Sequence, residues 1–345
     1  MFDALRIELQ KRGVAEGLIE KAISAGYFLK GWLGSDGKPY FTVSDSLYGN
    51  KALSSSFGVD QFAQYLVGES VFDQLPPLNR IRVKNRMELD EYLNCERIKR
   101  YVNDGSLTMR GQSSEYMLRR AIPNPVRADA LGNEISIIPG SYRQPRDKYY
   151  SLEVPIPSDF SIREYCRYFD EENDGYAIYH GFDHMRVEQH YARQTSGLDI
   201  TFDIDVAIFF ATNKSFELPS GSFGYEPVPR GEHAGVIYLF RFGSPSVRRS
   251  EFLIERFDFY KRHYPLRILR QICGLPLFGQ YERNIAVTDV DTVIELDPDF
   301  EMSSVLAPEF MFPSAVEDSF YGQLLSLKDR FPERLADVVE YSWAR

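Results

Sequence analysis

Apolar positions recur at helical spacing near the start of the chain. Leu5, Leu9, Ile19, Ala22 and Ile23 share a side, and the spacing predicts an amphipathic helix over 3–25 with a glycine at each break. Gly34-Ser35-Asp36-Gly37 reads as a turn before a short strand, 39–43, and 59–66 is again helical. Leu75-Pro76-Pro77-Leu78 suits neither helix nor sheet interior, so it marks a linker after a small N-terminal accessory region, 1–77. Beyond it the pattern alternates less regularly: a strand at 81–83, a helix over 87–102, and a strand over 106–110 that ends in Arg-Gly-Gln. Residues 121–157 hold many Pro, Gly and Asn and read as an extended excursion; 162–169 and 177–191 read as helices. Asp203 and Asp205 stand ahead of the apolar block Val206–Ala211, where a carboxylate suits a helix N-terminus. GVIYLFRF, 235–242, is the clearest strand, and 284–296 holds one or two more. Strands and helices out of regular alternation predict an α+β fold with a mixed or antiparallel sheet core.

Composition narrows the class. A chain of 345 residues with 43% apolar and 14% aromatic content can bury a sizeable core, which excludes wholesale disorder. Cys95, Cys166 and Cys273 form no Cys-x-x-Cys pair, so neither a disulfide framework nor a zinc site is signalled. His180 and His184 sit four apart without a carboxylate or cysteine at ligand spacing, and no metal is expected. The start of the chain has no signal-peptide pattern and no window is apolar enough to span a bilayer, so a soluble cytoplasmic protein without membrane partners is expected. A net charge of −10 argues against indiscriminate nucleic-acid binding. The charge is uneven, however. Residues 78–127 carry 11 Lys/Arg against 6 Asp/Glu, residues 241–270 carry 8 against 3, and residues 287–345 carry 4 against 13. An anionic ligand or a polynucleotide could use the two basic segments if they converge; otherwise they are solvated helix faces.

Two stretches concentrate side-chain chemistry. In Thr108-Met109-Arg110-Gly111-Gln112, an arginine at a strand end offers a planar fork of donors for phosphate or carboxylate, and the following glycine leaves the backbone open to a ligand. Its bland alternative is a surface ion pair. In QHYARQTSGLD, 189–199, Thr195 and Ser196 offer hydroxyls, His190 and Tyr191 a pair of rings, and Asp199 an acceptor for a ribose hydroxyl or an orienter of a basic group. The alternative for Asp199 is a cap or a buried hydrogen-bond anchor. No P-loop or Gly-x-Gly-x-x-Gly element is present.

Taken together, Met109-Arg110-Gly111-Gln112 with Tyr116-Met117-Leu118-Arg119-Arg120, then Gln189-His190-Tyr191-Ala192, Thr195, Gly197-Leu198-Asp199 and Ala207–Ala211, resemble the signatures of the FRG domain family. Arg267–Gly274 and Phe312-Pro313 are similar to its later elements. Met109, Ala192 and Gly197 depart from the usual residues. The resemblance covers about 80–325, leaving 1–77 outside and a C-terminal helical tail, 326–345. The motif order also resembles that of mono-ADP-ribosyltransferases, which implies an ADP-ribosyltransferase-like fold and NAD as co-substrate. Under that resemblance Arg110 is the first catalytic element and holds the pyrophosphate, with Gly111 and Gln112 beside it, and Thr195-Ser196, on a hydroxyl-bearing strand ahead of the buried helix 206–211, is the second. Tyr191 stacks on nicotinamide, His190 and Thr195 bond ribose or amide, and Ser196 and Asp199 complete the cofactor site. The third catalytic element is either Gln271 or Glu282 of Gln280-Tyr281-Glu282. A carboxylate matters there because breaking the nicotinamide–ribose bond builds positive charge on the ribose.

The resemblance further implies a bacterial toxin or phage-defence effector modifying a macromolecule, RNA or DNA or protein, with an antitoxin or other inhibitory partner. Two other readings stand beside it: a non-catalytic nucleotide- or partner-binding module, and a magnesium-dependent nuclease using Asp199, Asp203 and Asp205.

Overall fold

The computed structural model describes residues 2–49, 57–69, 72–103, 106–142, 181–193, 195, 197–242, 249, 251–256, 258–276, 282–285, 287–301, 306–333 and 335–342. Strands and helices are numbered along the chain. The chain forms two compact units: one made of 1–77, 116–156 and 278–288, the other of 78–115, 157–277 and 289–345. The first unit thus adds two later segments to the N-terminal residues.

In the first unit, α1 (Phe2–Lys11) and α2 (Glu16–Ser24) replace the single helix expected over 3–25. Gly13, at φ 74°, supplies the left-handed residue that ends α1, a conformation a side chain resists. Leu5 and Leu9 on α1 and Ile19 and Ala22 on α2 are fully buried. They pack with α3 (Val59–Leu66) and the hairpin of β1 (Tyr27–Leu33) and β2 (Pro39–Asp45) in one apolar cluster. A smaller hairpin joins β5 (Met117–Arg119) to β6 (Asn133–Ile135), the second of them inside what the sequence marked as an extended excursion. Beneath it Arg120 is wholly buried between Asp45 and Glu134.

The second unit is built on a six-stranded mixed sheet: β11 (Cys273–Gly274), β7 (Ile200–Thr201), β4 (Leu107–Gln112), β10 (Val236–Arg241), β12 (Val290–Glu301) and β3 (Asn79–Asn85), in that order. All neighbours pair antiparallel except β12 with β3. The helix expected over 87–102 is two, α4 (Arg86–Leu93) and α5 (Glu96–Asn103). The apolar block forms α7 (Ile204–Thr212), capped by Asp203, whose Oδ1 accepts from the backbone N–H of Asp205 at 2.7 Å and Val206 at 3.1 Å.

Helix α7 is apolar nearly all round because it is covered on several sides. Val206, Ala207, Ile208, Phe209 and Ala211 are all buried, each large side chain contributing about 1.5–3 kcal/mol relative to exposure. It lies so close to the sheet that a Cβ on Gly111 would sit 1.8 Å from the Ala207 carbonyl oxygen, and one on Gly235 2.1 Å from that of Ala211. Strands β8 (Asn213–Glu217) and β9 (Phe223–Pro227) follow as a hairpin. Helices α6 (Gly181–Tyr191), α8 (Glu251–Arg256), α9 (Asp258–Arg262), α10 (Leu266–Arg270), α11 (Pro308–Met311) and α12 (Ser319–Arg330) complete the unit.

The residues of the tail are part of this unit's interior. Leu327, Leu335 and Val338 join Tyr191 and Phe320 in its second apolar cluster. Arg267, also wholly buried, lies over the rings of Tyr191, Tyr321 and Tyr341 at 4.5–4.6 Å and donates to the His190 carbonyl at 2.6 Å. The helix expected over 162–169 lies outside the described residues. Among the described residues no helix is long and apolar enough to cross a membrane.

Candidate functional site

Strands β4 and β7 share one residue pair, Met109 with Thr201. Beyond that pair Arg110 reaches from the β4 side to the β7 side and donates from Nη1 to the Asp199 carbonyl at 2.6 Å. A cavity of about 150 Å³ opens there, lined by Arg110, Gly111, Asp199 and Thr201, with His190, Gln271 and Cys273 on one side and Val206, Phe210 and Tyr225 on another. Four separated stretches of sequence therefore contribute polar groups to one space.

His190 is the centre of its polar wall. Its side chain is 2% exposed; Nδ1 lies 3.0 Å from Gln271 Oε1, and Nε2 lies 3.3 Å from Asp199 Oδ1. Gln271 Nε2 donates to the Met311 carbonyl at 3.0 Å, which turns Oε1 toward His190 and makes Nδ1 the donor. Burial by itself would drive the ring neutral. The Asp199 carboxylate, with the Cys273 thiol, outweighs burial and raises His190 to about 9. Both ring nitrogens then carry protons at neutral pH. Nε2 and Asp199 Oδ1 face each other as an ion pair rather than through an aligned hydrogen bond.

The wall is held by a strained turn. Ile272, between Gln271 and Cys273, has φ 42°, left-handed backbone that costs a β-branched residue about 1–2 kcal/mol. It is clamped from β7: the Thr201 hydroxyl donates to the Gln271 carbonyl at 2.8 Å, and Phe202 N–H donates to the Ile272 carbonyl at 3.1 Å. Thr201 Oγ1 also accepts from Asp203 N–H at 3.0 Å, tying the same turn to the cap of α7. Opposite, Tyr225 stacks at 4.7 Å on Phe312, which stacks at 4.5 Å on Tyr341. Burial raises the Tyr225 phenol, keeping it neutral.

No protein-family model, curated protein or solved structure matches the chain. The site therefore stands on its own geometry.

Of the residues singled out from sequence, Arg110, Gly111, His190, Asp199 and Gln271 line this cavity. Gly111 also serves packing, since α7 fills the place a side chain would take. Gln112 is buried one residue further along β4 and is not part of the lining. Tyr191 cannot stack on a cavity ligand: its ring is wholly buried against Phe320 and Tyr321, and its hydroxyl donates to Asp318 at 2.6 Å. Thr195 is buried with its hydroxyl donated to Gln189 Oε1, outside the lining.

Ser196 lies outside the described residues, as do Gln280 and Tyr281. Glu282 is wholly buried in the first unit, its backbone and Cβ against Gly49, and does not line the cavity. Of the proposed magnesium ligands, Asp203 is spent on the α7 cap and Asp205 pairs with Arg86. Among the described residues no group of three His, Cys, Asp or Glu is placed to hold a metal.

Thr201, Cys273 and Tyr225 were missed. Thr201 carries a readable signal, a hydroxyl two residues after Asp199 and just before the capped helix. Tyr225 had none, because its strand is only five residues long and ends in proline.

Proposed function

We propose that the cavity takes the nicotinamide–ribose end of NAD and that the chain transfers ADP-ribose to a macromolecular acceptor, as the resemblance of its motif order to mono-ADP-ribosyltransferases suggests. The observation that carries this reading is Asp199. It is the one carboxylate among the described residues lining the cavity, and it sits between Arg110 and His190. Cleavage of the nicotinamide–ribose C–N bond sends the bonding pair out with neutral nicotinamide and leaves positive charge on C1′ and the ring oxygen. A carboxylate stabilises that charge more than it stabilises the substrate, which is what lowers a barrier. The acceptor then forms the new bond to C1′ and gives up its proton. Arg110 and the His190 imidazolium supply the two positive charges a pyrophosphate needs, and Thr201 supplies the hydroxyl-bearing strand ahead of the buried helix. Asp199 thereby takes the part that the sequence left between Gln271 and Glu282.

The test is nicotinamide release from NAD by the purified chain. Asp199→Asn is expected to lower release by about 100-fold or more, the scale of losing one transition-state charge contact, and Arg110→Ala to abolish it with folding retained. Full activity in Asp199→Asn would overturn the assignment. A second reading, nucleotide binding without turnover, is favoured by one observation: both ends of the Gln271 amide are already engaged, to His190 and Met311. Tight NAD binding without nicotinamide release would decide for it.

A further inference from the structure

The two basic segments of the chain meet in space. Arg97 and Arg100 on α5 belong to the first segment, and Arg241 at the end of β10 to the second. Tyr101 and Asp291 stand between them. Arg97 donates to Asp291 Oδ2 at 2.9 Å, and Arg241 Nη2 lies 2.5 Å from Asp291 Oδ1. Arg241 also donates to the Tyr101 hydroxyl at 2.7 Å; Arg100 donates to the same oxygen, and both guanidiniums lie over the Tyr101 ring, at 4.9 and 4.6 Å. The pair of donors, Arg100 foremost, lowers the Tyr101 phenol.

Two guanidiniums thus share one carboxylate, with Arg100 beside them on Tyr101, and that carboxylate is 3% exposed while Arg97 and Arg241 are 45% and 43% exposed. The negative partner is turned inward and the positive groups face solvent. Like charges held this close repel, and an external anion offsets the repulsion. An aromatic ring set among arginines further suits unstacked bases.

We infer that the Arg97–Arg100–Arg241 cluster is a docking surface for the phosphate backbone of a single-stranded polynucleotide. The inference rests on the ADP-ribosyl reading only for its purpose, since it names the acceptor class; the surface itself follows from the charges. Two guanidiniums contacting two phosphates release their counterions, so affinity falls with salt.

The experiment measures binding of a labelled single-stranded oligoribonucleotide to the full chain across a salt series. Arg97→Ala with Arg241→Ala is expected to weaken binding and to flatten the slope of log K against log salt by about 1.4, roughly 0.7 per single-strand phosphate. Asp291→Asn is expected to tighten binding, because it removes the negative charge that Arg97 and Arg241 share. A merely structural role for the network would make both changes weaken it. Arg230→Ala alters charge at an exposed site of the same unit paired with Glu301, and is expected to leave binding unchanged. No oligonucleotide binding at low salt, or equal weakening by Arg230→Ala, would overturn the inference. Nicotinamide release, assayed without polynucleotide, is expected to survive Arg97→Ala with Arg241→Ala. Oligonucleotide binding without nicotinamide release would sink the transferase reading and leave this surface standing.

Discussion

Arg120 in the first unit and His190 in the second are both buried cations facing carboxylates, but their hydrogen-bonding groups are spent differently. Arg120 uses every N–H it has. Nε donates to Glu134, Nη1 to Asp45 and the Ala25 carbonyl, and Nη2 to Asp45 and Glu134, all at 2.7–3.1 Å. The acceptors are saturated as well. Glu134 takes the Asn124 N–H and the Tyr48 hydroxyl, and Asp45 takes the Leu47 N–H and the Asn124 amide. At His190 one nitrogen is committed to Gln271, while the other faces Asp199 beside a cavity without an aligned bond. Burial and charge are common to both clusters and so cannot mark a site. An ion pair that lines a cavity can.

The comparison breaks most visibly at Arg120. Arg120→Met leaves Asp45 and Glu134 buried with no counter-charge, and removing one partner of such a network costs about 3–5 kcal/mol. Urea unfolding should register that loss in the midpoint. A change below about 1 kcal/mol would mean that the carboxylates are rehydrated and that the network holds less than its geometry suggests.

His190 sharpens the contrast, because its cluster titrates. Its folded-state value is about 9 against an ordinary 6.5, so the folded chain holds the proton more tightly than the unfolded chain. The resulting stability is fully present below 6.5 and is lost as pH rises through 9. Its size is on the order of 3 kcal/mol, from 1.36 kcal/mol per unit. Unfolding free energies measured below and above that window should differ by this amount in the native chain and by much less in Asp199→Asn, where the charge holding the proton is gone. An unchanged pH dependence in Asp199→Asn would show that another group holds it.

What could be read from sequence follows from how local each signal is. Helix α7 was legible because a cap at Asp203 and an apolar run sit side by side. The strand carrying Arg110 was legible for the same kind of reason. The partition of His190 and Tyr191 was available but overlooked. On α6, Val187 and Tyr191 are four apart and share the buried face, which turns His190 to another side. Treating the two rings as a pair ignored helical geometry.

The first unit's later segments were not legible, since the contact of Asn284 with the Ile135 carbonyl spans 149 residues and no local pattern announces it. Arg120 shows the same limit. It belongs to a quoted motif, but it anchors the first unit rather than the cavity. The turn at Ile272 was invisible too, because a β-branched residue is the last choice for left-handed backbone and only its clamp from β7 keeps it there.

The smallest effects separate the two residues that sequence reasoning left as rivals. Gln271 touches the cavity through His190: its Oε1 fixes the Nδ1 proton, and its amide nitrogen is fixed in turn by Met311. Gln271→Ala removes one hydrogen bond to a charged ring, about 1.5 kcal/mol, and should lower nicotinamide release by roughly ten-fold. The same change should lower the pH at which the His190 proton is lost, a shift that loss of packing alone would not produce. Glu282 is buried in the first unit, with Gly49 held at φ 59° against its backbone. Glu282→Gln keeps the shape and removes the charge, so nicotinamide release should stay within about two-fold of native, under 0.5 kcal/mol. Were Glu282→Gln instead to fall with Asp199→Asn while Gln271→Ala stayed active, the carboxylate of the reaction would be Glu282. The cavity at Arg110 would then be a binding site for something other than the scissile bond.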